Sequence, residues 1–413
     1  MPRLRVADPL WLAHRARHEG PRYPELARDL PADVAIVGGG VTGATVAWMF
    51  ARSGLRVVVF DAARVGRGST AASTALLMQE PDTDFAELVR RYGPKNARRI
   101  WRLSSAAARD FVRTLESLDI RCHLEHRDSV YYALGEPAGR RLRDELRSRR
   151  RAGIPGRWLD AAALRRATGI DGAGAIRTSG NAQADPYLAC TGLLRAATRL
   201  GARIFERSSV DRIDADASGV TLTVNGFAIR CARVIIATGY ATPSFEPLAA
   251  SFRMLQTYVV ATKPMPARLR RELGLGDVML WDSGRPYHYA RWTIDNRLLL
   301  GGGDRPRVPE RQRAKALRDG AAGVRQYFER RYPALEHVGT DFAWEGLFAT
   351  TPDSLPYVGP HPDYPQHLFA LGYGGNGMTF GFLAARLLLE WHRGKRTDDH
   401  RLFAFDRTVK LPR

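Results

Sequence analysis

Cysteine is scarce: three residues, at positions 122, 190 and 231, in a chain of 413. The count is odd and no two lie close together, which argues against a disulfide framework and against a cysteine-rich metal site. Such usage fits a reducing cytoplasm, the expected location. Long apolar runs are missing too. No stretch reaches the ~18 residues a membrane-spanning helix needs, so no membrane span is expected. The opening segment, MPRLRVADPLWLAHRARHEG, has no apolar core of signal-peptide type. Tandem repeats and low-complexity tracts are absent. With 45% hydrophobic and 26% charged residues, disorder on a large scale is excluded. The length favours about two to three domains.

Acidic residues are outnumbered, 43 against 63 basic, for a formal net charge of +20. Such an excess can mark a nucleic-acid partner. Here arginine is spread along the whole chain, and its concentrations at 90–102 and 140–151 read as solvated helix faces. No zinc-finger or other nucleic-acid signature accompanies them, and no nucleic-acid partner is expected.

What the chain does have is a β-α-β unit near its start. Asp33–Val37 is an apolar run of strand length, Gly38–Gly43 follows, and an alanine-rich helix runs to Ser53. Gly54 stands at the helix C′ position, and Leu55–Phe60 is a second buried strand ending at Asp61. Unbroken apolar strands suit a parallel sheet covered on both faces. Gly38-Gly39-Gly40-Val41-Thr42-Gly43 satisfies G-x-G-x-x-G, with an acidic residue about 20 positions on. Gly38 makes the turn, Gly40 lets backbone approach a pyrophosphate, and Gly43 allows close helix–strand packing. Val41 and Thr42 open the helix, whose N-terminus favours phosphate. Asp61 would accept hydrogen bonds from ribose hydroxyls, with Ala62 beside it.

The same grammar returns later. Asp185-Pro186 reads as N-cap and N1 of a helix ending at Gly201. Short β segments follow at 210–213, 220–224 and 227–229, then a return strand at 233–238. Residues 95–152 read as mostly helical with one strand-like piece. After Gly239 come aromatic strands at 258–262, 287–292 and 297–301, then a helix over 313–331. The fold class is α/β, α+β overall. A Rossmann-like domain (31–95, 155–250 and 340–396) is interrupted by an antiparallel-sheet substrate domain (96–154 and 251–339), with 1–30 as an N-terminal extension.

DVAIVGGGVTGATVAWMFARSGLRVVVFDAARVGRGST resembles the opening of the D-amino-acid oxidase, glycine oxidase and sarcosine oxidase family. RVIIATGYAT resembles that family's second nucleotide-contact strand. DSLPYVGPHPDYPQHLFALGYGGNGMTFGFLAARLLLEW resembles its C-terminal flavin segment. STAASTALLMQEPD, with Trp11 and Tyr23 upstream, lies closest to members related to gamma-glutamylputrescine oxidoreductase. Some of those carry a Rieske domain, and no Cys/His pairs of that kind are seen here.

The resemblance implies an FAD-dependent enzyme that oxidises a C–N bond in a small amine or amino acid. Hydride would pass to flavin N5, the imine would hydrolyse, and dioxygen or another carrier would take the electrons. By the same resemblance Gly68, Ser69 and Thr70 would lie beside the pyrophosphate and ribityl chain. Val210 would hold the adenine edge through its backbone, and Thr238 and Gly239 would line the adenosine side. Gly374, Gly375, Asn376, Gly377, Met378 and Thr379 would wrap the isoalloxazine. Some members hold FAD covalently through Cys or His. With no Cys after 231 and no His between His18 and His123, non-covalent FAD is expected.

For the substrate, the candidates are Tyr258, Tyr287, Tyr289, Arg291 and Glu345. Alternation puts Tyr287, Tyr289 and Arg291 on one side of a strand. If that side faces the flavin, Arg291 could grip a carboxylate and the tyrosines could cage an amine. Otherwise the tyrosines are core and Arg291 faces solvent. His288 points the other way and reads as structural. Trp281-Asp282 and Trp344-Glu345 stand in motif-like settings. Two rivals remain: a 2-hydroxy-acid dehydrogenase on the same fold, and a catalytically silent FAD-binding subunit of a larger dehydrogenase.

Overall fold

The protein is described by a computed structural model over residues 4–13, 22–216, 219–240 and 245–409. Three sheets organise it. The first has six strands in the order Tyr357–His361, Tyr364–Leu371, Arg233–Gly239, Val34–Val37, Val57–Phe60 and Arg203–Phe205. The last five run parallel, and Tyr357–His361 is an antiparallel edge. Both faces of its central strands are buried, and alternation separates them. Val34, Ile36, Val57, Val59 and Ile235 pack under the helices Val41–Arg52, Pro186–Arg199 and Gly377–His392. Ala35, Val58, Phe60, Val234 and Ile236 pack against Val220, Leu222, Val224 and Ile229 of the second sheet. That sheet is the meander Val210–Asp216, Gly219–Val224 and Phe227–Cys231, closed by Leu30–Pro31.

Local signals sit where the chain needs them. The Asp185 carboxylate accepts the Leu188 N–H at 2.8 Å, with Pro186 as the first helical residue. Gly93, at φ +77°, breaks the 33-residue Phe85–Ser117 helix just before Pro94.

The third sheet is mostly antiparallel. Its order is Arg5–Val6, Thr340–Thr350, Arg253–Thr262, Leu298–Pro306, His288–Trp292, Val278–Asp282, Glu125–Tyr132, Ala175–Gln183 and Leu76–Leu77, with Arg157–Leu159 also paired to Ala175–Gln183. The helix Glu310–Glu329 covers one face. The sheets partition the chain more finely than the domain limits read from sequence. Residues 157–183 and 340–350, grouped there with the nucleotide domain, give strands to this antiparallel sheet. Ala97, Ile100, Trp101 and Phe111, grouped with the substrate domain, pack in the core under Gly377–His392. Strand pairing between distant segments decides membership, and such pairing leaves no local pattern.

Of the sequence-level anchors, Trp11 is buried and donates to the Ser73 carbonyl at 2.9 Å. Tyr23 packs half-buried on the main core.

Candidate active site

A cavity of about 1050 Å³ runs from the parallel sheet to the antiparallel one, at the large end for small-molecule sites. One end lies over the carboxyl ends of the parallel strands, where open α/β sheets bind ligands. Gly38, Gly40, Val41, Thr42, Asp61, Ala62, Gly68, Ser69, Thr70, Val210, Thr238 and Gly239 line it there. The other end is lined by Gly374, Gly375, Asn376, Gly377, Met378, Tyr287 and Tyr289. Gly43 and Thr379 are not part of the lining. Thr379 is fully buried and donates to the Met78 carbonyl at 2.8 Å.

The three motif glycines differ in what makes each of them small. Gly38 has φ +109°, and a Cβ there would meet the Ala237 carbonyl oxygen at 2.7 Å. A Cβ on Gly43 would lie 1.9 Å from the Gly38 carbonyl oxygen, so strand turn and helix could not approach. Gly40 is the open one: a Cβ would meet only the Thr70 hydroxyl, at 3.1 Å, and otherwise project towards the cavity it lines. The N-cap of the Val41–Arg52 helix is Gly40, which has no side chain to cap it. Thr70 Oγ1 accepts the Val41 N–H at 3.0 Å, and the Ser69 hydroxyl donates to the Leu347 carbonyl at 2.8 Å. Asp61 accepts the N–H groups of Gly39 and Ala63, each at 2.9 Å, which fixes its carboxylate at the end of its strand. These residues fit an adenine dinucleotide: a helix N-terminus whose first N–H alone is taken, by the Thr70 hydroxyl, for pyrophosphate, an oriented carboxylate for ribose, and a glycine whose missing side chain keeps the wall open.

The far end is built by the loop before the Gly377–His392 helix, which also lacks a side-chain cap. Gly374 has φ +62° and donates to the Ala349 carbonyl at 3.0 Å. Asn376 is 3% exposed. Its Nδ2 donates to the Glu80 carbonyl at 2.9 Å, and its Oδ1 has no partner. An orphaned carbonyl and a helix N-terminus suit a flat ring edge that carries both donors and acceptors. Asp82 accepts the Gly375 N–H at 2.6 Å. Burial, and then the charge of Asp304, lift its carboxyl to about 6. Burial likewise lifts Asp304 to about 6. Tyr287 and Tyr289 stand 6.1 Å apart, ring to ring. Burial keeps both phenols protonated, Tyr287 far above its ordinary value and Tyr289 at about 12.

Three candidate residues lie away from this cavity. Arg291 shares its strand face with Tyr287 and Tyr289 but lies farther along, past the wall. It is 3% exposed and donates to the carbonyls of Thr74 (2.6 Å), Ala184 (2.8 Å) and Trp292 (3.3 Å). Burial lowers its pKa to about 10, and Trp11 stacks on it at 5.2 Å. Its fork is occupied by backbone, so neither a carboxylate grip nor solvent exposure describes it. Tyr258 is fully buried on the sheet face under the Glu310–Glu329 helix, bonded to Gln256, with Arg305 over its ring at 4.7 Å. Thr257, on the opposite face of the strand by alternation, is the cavity residue. Glu345 sits opposite Tyr258 in register and forms a fully buried pair with Arg313 at 2.9 Å. Its neighbour Gly346 lines the cavity instead.

His288 stacks on Tyr327 at 3.6 Å, and Asp282 accepts the His288 and Gly284 N–H groups, at 3.2 and 2.6 Å. Trp344 is fully buried and donates to the Ala72 carbonyl at 2.9 Å. Trp281 lines the cavity, stacked on Tyr131. Sequence reasoning missed Asp82, Asp84, Asp304 and Arg285, which also line it. The acid-rich PDTD turn and the acid ending the Gly301–Gly303 run were the available signals.

The family described as DAO: FAD dependent oxidoreductase matches residues 33–391. The chain belongs to it. A probable oxidoreductase, OrdL, of Haemophilus influenzae is 26% identical over 408 residues, covering 96% of this chain and 90% of that one. The gamma-glutamylputrescine oxidoreductase of Escherichia coli is 27% identical over 400 residues, covering 94% and 92%. The crystal structure of glycine oxidase from Geobacillus kaustophilus superposes with a TM-score of 0.76 at 24% identity, covering 92% of this chain and all of that one. The protein is thus an FAD-dependent oxidoreductase of this family, with the family's mixed α/β fold. Among the described residues no helix is long and apolar enough to cross a membrane, and no His/Cys/Asp/Glu cluster could hold a metal ion.

Proposed function

We propose that this oxidoreductase oxidises a C–N bond of a small amine or amino acid. The observation that carries the reading is the chamber itself, where phenols and carboxylates face the Gly374–Met378 loop in one cavity with the nucleotide-binding turn. The named relatives act in the same direction: one on gamma-glutamylputrescine, another on glycine. FAD, when bound, supplies the hydride acceptor at N5; the imine product is released to water.

The protein's own part is to hold and orient. Val41–Thr42 and Ser69–Thr70 would take the pyrophosphate, Asp61 and Ala62 the ribose, and Val210 with Thr238–Gly239 the adenosine. Gly374–Met378 would border the ring. Tyr287 and Tyr289 offer protonated hydroxyls and ring faces that position an amine within the ~3–3.5 Å that reaction demands. An ammonium has no lone pair, so it must shed a proton before an imine can form. Asp82 and Asp304, both at about 6, are ionised at neutral pH and can take it. Among the described residues no Cys or His lines the cavity, which supports FAD held without a covalent bond.

The test is an anaerobic absorbance titration of the FAD-loaded protein with amines, amino acids and 2-hydroxy acids. Bleaching of the flavin band by an amine or amino acid, with ammonia or an amine as product, is the expected result. Bleaching by hydroxy acids alone would replace the reading with C–O oxidation. No bleaching by any of them would favour a silent subunit. Readmitting air then tells whether dioxygen accepts the electrons.

A further inference from the structure

The protein carries a net charge of +20, yet the substrate end of its cavity is acidic. Asp82, Asp84 and Asp304 line it, and none has a cationic partner within ion-pair distance among the described residues. Of the two arginines there, Arg149 is paired with Glu145 at 2.6 Å, a residue outside the lining. Arg285 stands exposed at the mouth, its guanidinium 6.0 Å from the Tyr287 ring centre. Glu80 also lines the chamber but its carboxylate is occupied, accepting Ser129 at 2.9 Å and Asn181 at 3.1 Å.

Two of these carboxylates, neither paired with a cation, converge on the ring-facing loop. Asp82 holds the Gly375 N–H, and the Tyr287 hydroxyl reaches within 2.7 Å of where a Gly375 Cβ would be. Asp304 is close enough to act on Asp82, Tyr287 and Tyr289 alike; the Thr257 hydroxyl lies near its carboxylate, and among the described residues its Oδ1 has no partner in good hydrogen-bond geometry. Asp82 is exposed to the cavity and Asp84 and Asp304 are half-buried, so a ligand that covers them has to supply the counter-charge such carboxylates normally find. Here four rings (Tyr131, Trp281, Tyr287 and Tyr289) stand around the gap, and ring faces attract cations.

We infer that this chamber is a cation receptor, and that the substrate is an aliphatic amine or diamine with no carboxylate on the reacting carbon, its ammonium received between Asp82 and Asp304 before one of them takes the proton from the reacting nitrogen. An α-amino acid would have to lay its carboxylate beside these acids. Arg291 is spent on three backbone carbonyls, and Arg285, the exposed cation of this chamber, already acts on Asp82 and Asp84. Like charges brought together select against that ligand class. The inference rests on the amine-oxidation reading and narrows it.

Two measurements on FAD-loaded, full-length protein separate the claims. In the first, flavin absorbance is followed on adding tetramethylammonium or acetate, neither of which can be oxidised here. The cation should perturb the spectrum at about tenfold lower concentration than acetate, and Asp304→Asn should weaken it by about tenfold or more. The substitution is isosteric, and retained flavin absorbance reports an intact fold. Tighter binding of acetate, or a cation affinity indifferent to Asp304→Asn in flavin-retaining protein, overturns the inference. In the second, 1,4-diaminobutane is compared with glycine as anaerobic reductant. Reduction favouring the diamine supports the receptor. Reduction favouring glycine overturns it and leaves C–N oxidation standing. Selective binding of tetramethylammonium with no amine reducing the flavin supports the receptor and overturns the reaction.

Discussion

At the scale of single residues, the motif glycines make distinguishable predictions. Gly40→Val places its side chain in the open wall, where a Cβ meets only Thr70. The variant should fold, with native far-UV circular dichroism, and lose FAD on gel filtration. Gly43→Val has no such room, since its Cβ already lies 1.9 Å from a backbone oxygen. It should fail in expression or thermal stability before cofactor retention can be asked. A yellow Gly40→Val protein would sink the pyrophosphate assignment. Arg291→Met tests the opposite kind of residue. Three carbonyls lose their charged donor, which costs on the order of 2–5 kcal/mol of stability, read as a lower urea midpoint. Substrate KM should stay near the parent value, whereas a carboxylate-gripping arginine would raise it steeply.

Protonation gives a third prediction at this scale. Asp82 and Asp304 are each raised to about 6, first by burial and, for Asp82, further by Asp304. The Gly375 and Asn376 N–H groups and Arg285 oppose the rise at Asp82, as the Thr257 hydroxyl and then His288 do at Asp304. Tyr287 and Tyr289 face the pair as neutral phenols. Above about 6 the carboxylates are ionised and attract an ammonium; below it they are neutral. Affinity for tetramethylammonium should therefore fall as pH drops through about 6, and the fall should be shallower in Asp304→Asn. An affinity flat across that range would remove these carboxylates from recognition.

At the scale of elements, the features visible in sequence were those with short-range causes. Asp185 before Pro186, Gly54 and Gly201 after their helices, and the glycine run beside Asp61 all act within a few residues, so composition and spacing reveal them. Sheet membership does not work that way. The strands at 157–159, 175–183 and 340–350 join the antiparallel sheet through partners up to hundreds of residues away. Alternation was informative but incomplete: it grouped Tyr287, Tyr289 and Arg291 on one face without saying where along it the cavity ends. At Tyr258 the parity was not readable from sequence: Thr257, paired with Gly346, faces the cavity, and Tyr258, paired with Glu345, faces the other way. The acidic chamber was legible only in pieces for the same reason, since Asp82 and Asp84 come from one loop and Asp304 from the end of a distant strand.

The strand Tyr364–Leu371 offers an element-level test. His367 sits in it, 5% exposed, with Phe245, Tyr364 and Phe369 around it and Nδ1 unpartnered. Burial lowers its pKa from 6.5 to about 4. Between those values the unfolded chain takes up a proton that the folded one refuses, so stability falls as pH falls from 6.5 to about 4. In His367→Phe the urea midpoint should lose less across that window than in the parent. An unchanged pH slope would mean the ring is not the proton-linked group.

At the scale of the whole molecule, one cavity joins two sheets whose strands interleave along the sequence. Helix Ser69–Ala72 and strand Leu76–Leu77 lead from the dinucleotide turn straight into the antiparallel sheet, and Thr340–Thr350 runs from that sheet back towards the Gly377–His392 helix. A ligand lying along the cavity therefore touches both sheets at once. Binding to the folded state alone adds about 2.7 kcal/mol at a hundredfold excess over Kd. Because that energy is anchored in both sheets, FAD should raise the unfolding temperature of the chain as one transition. Calorimetry with and without saturating FAD checks this: a single endotherm moving upward is expected. Two endotherms, of which FAD shifts only one, would show that the cavity does not couple the sheets and that the dinucleotide rests on the parallel sheet alone.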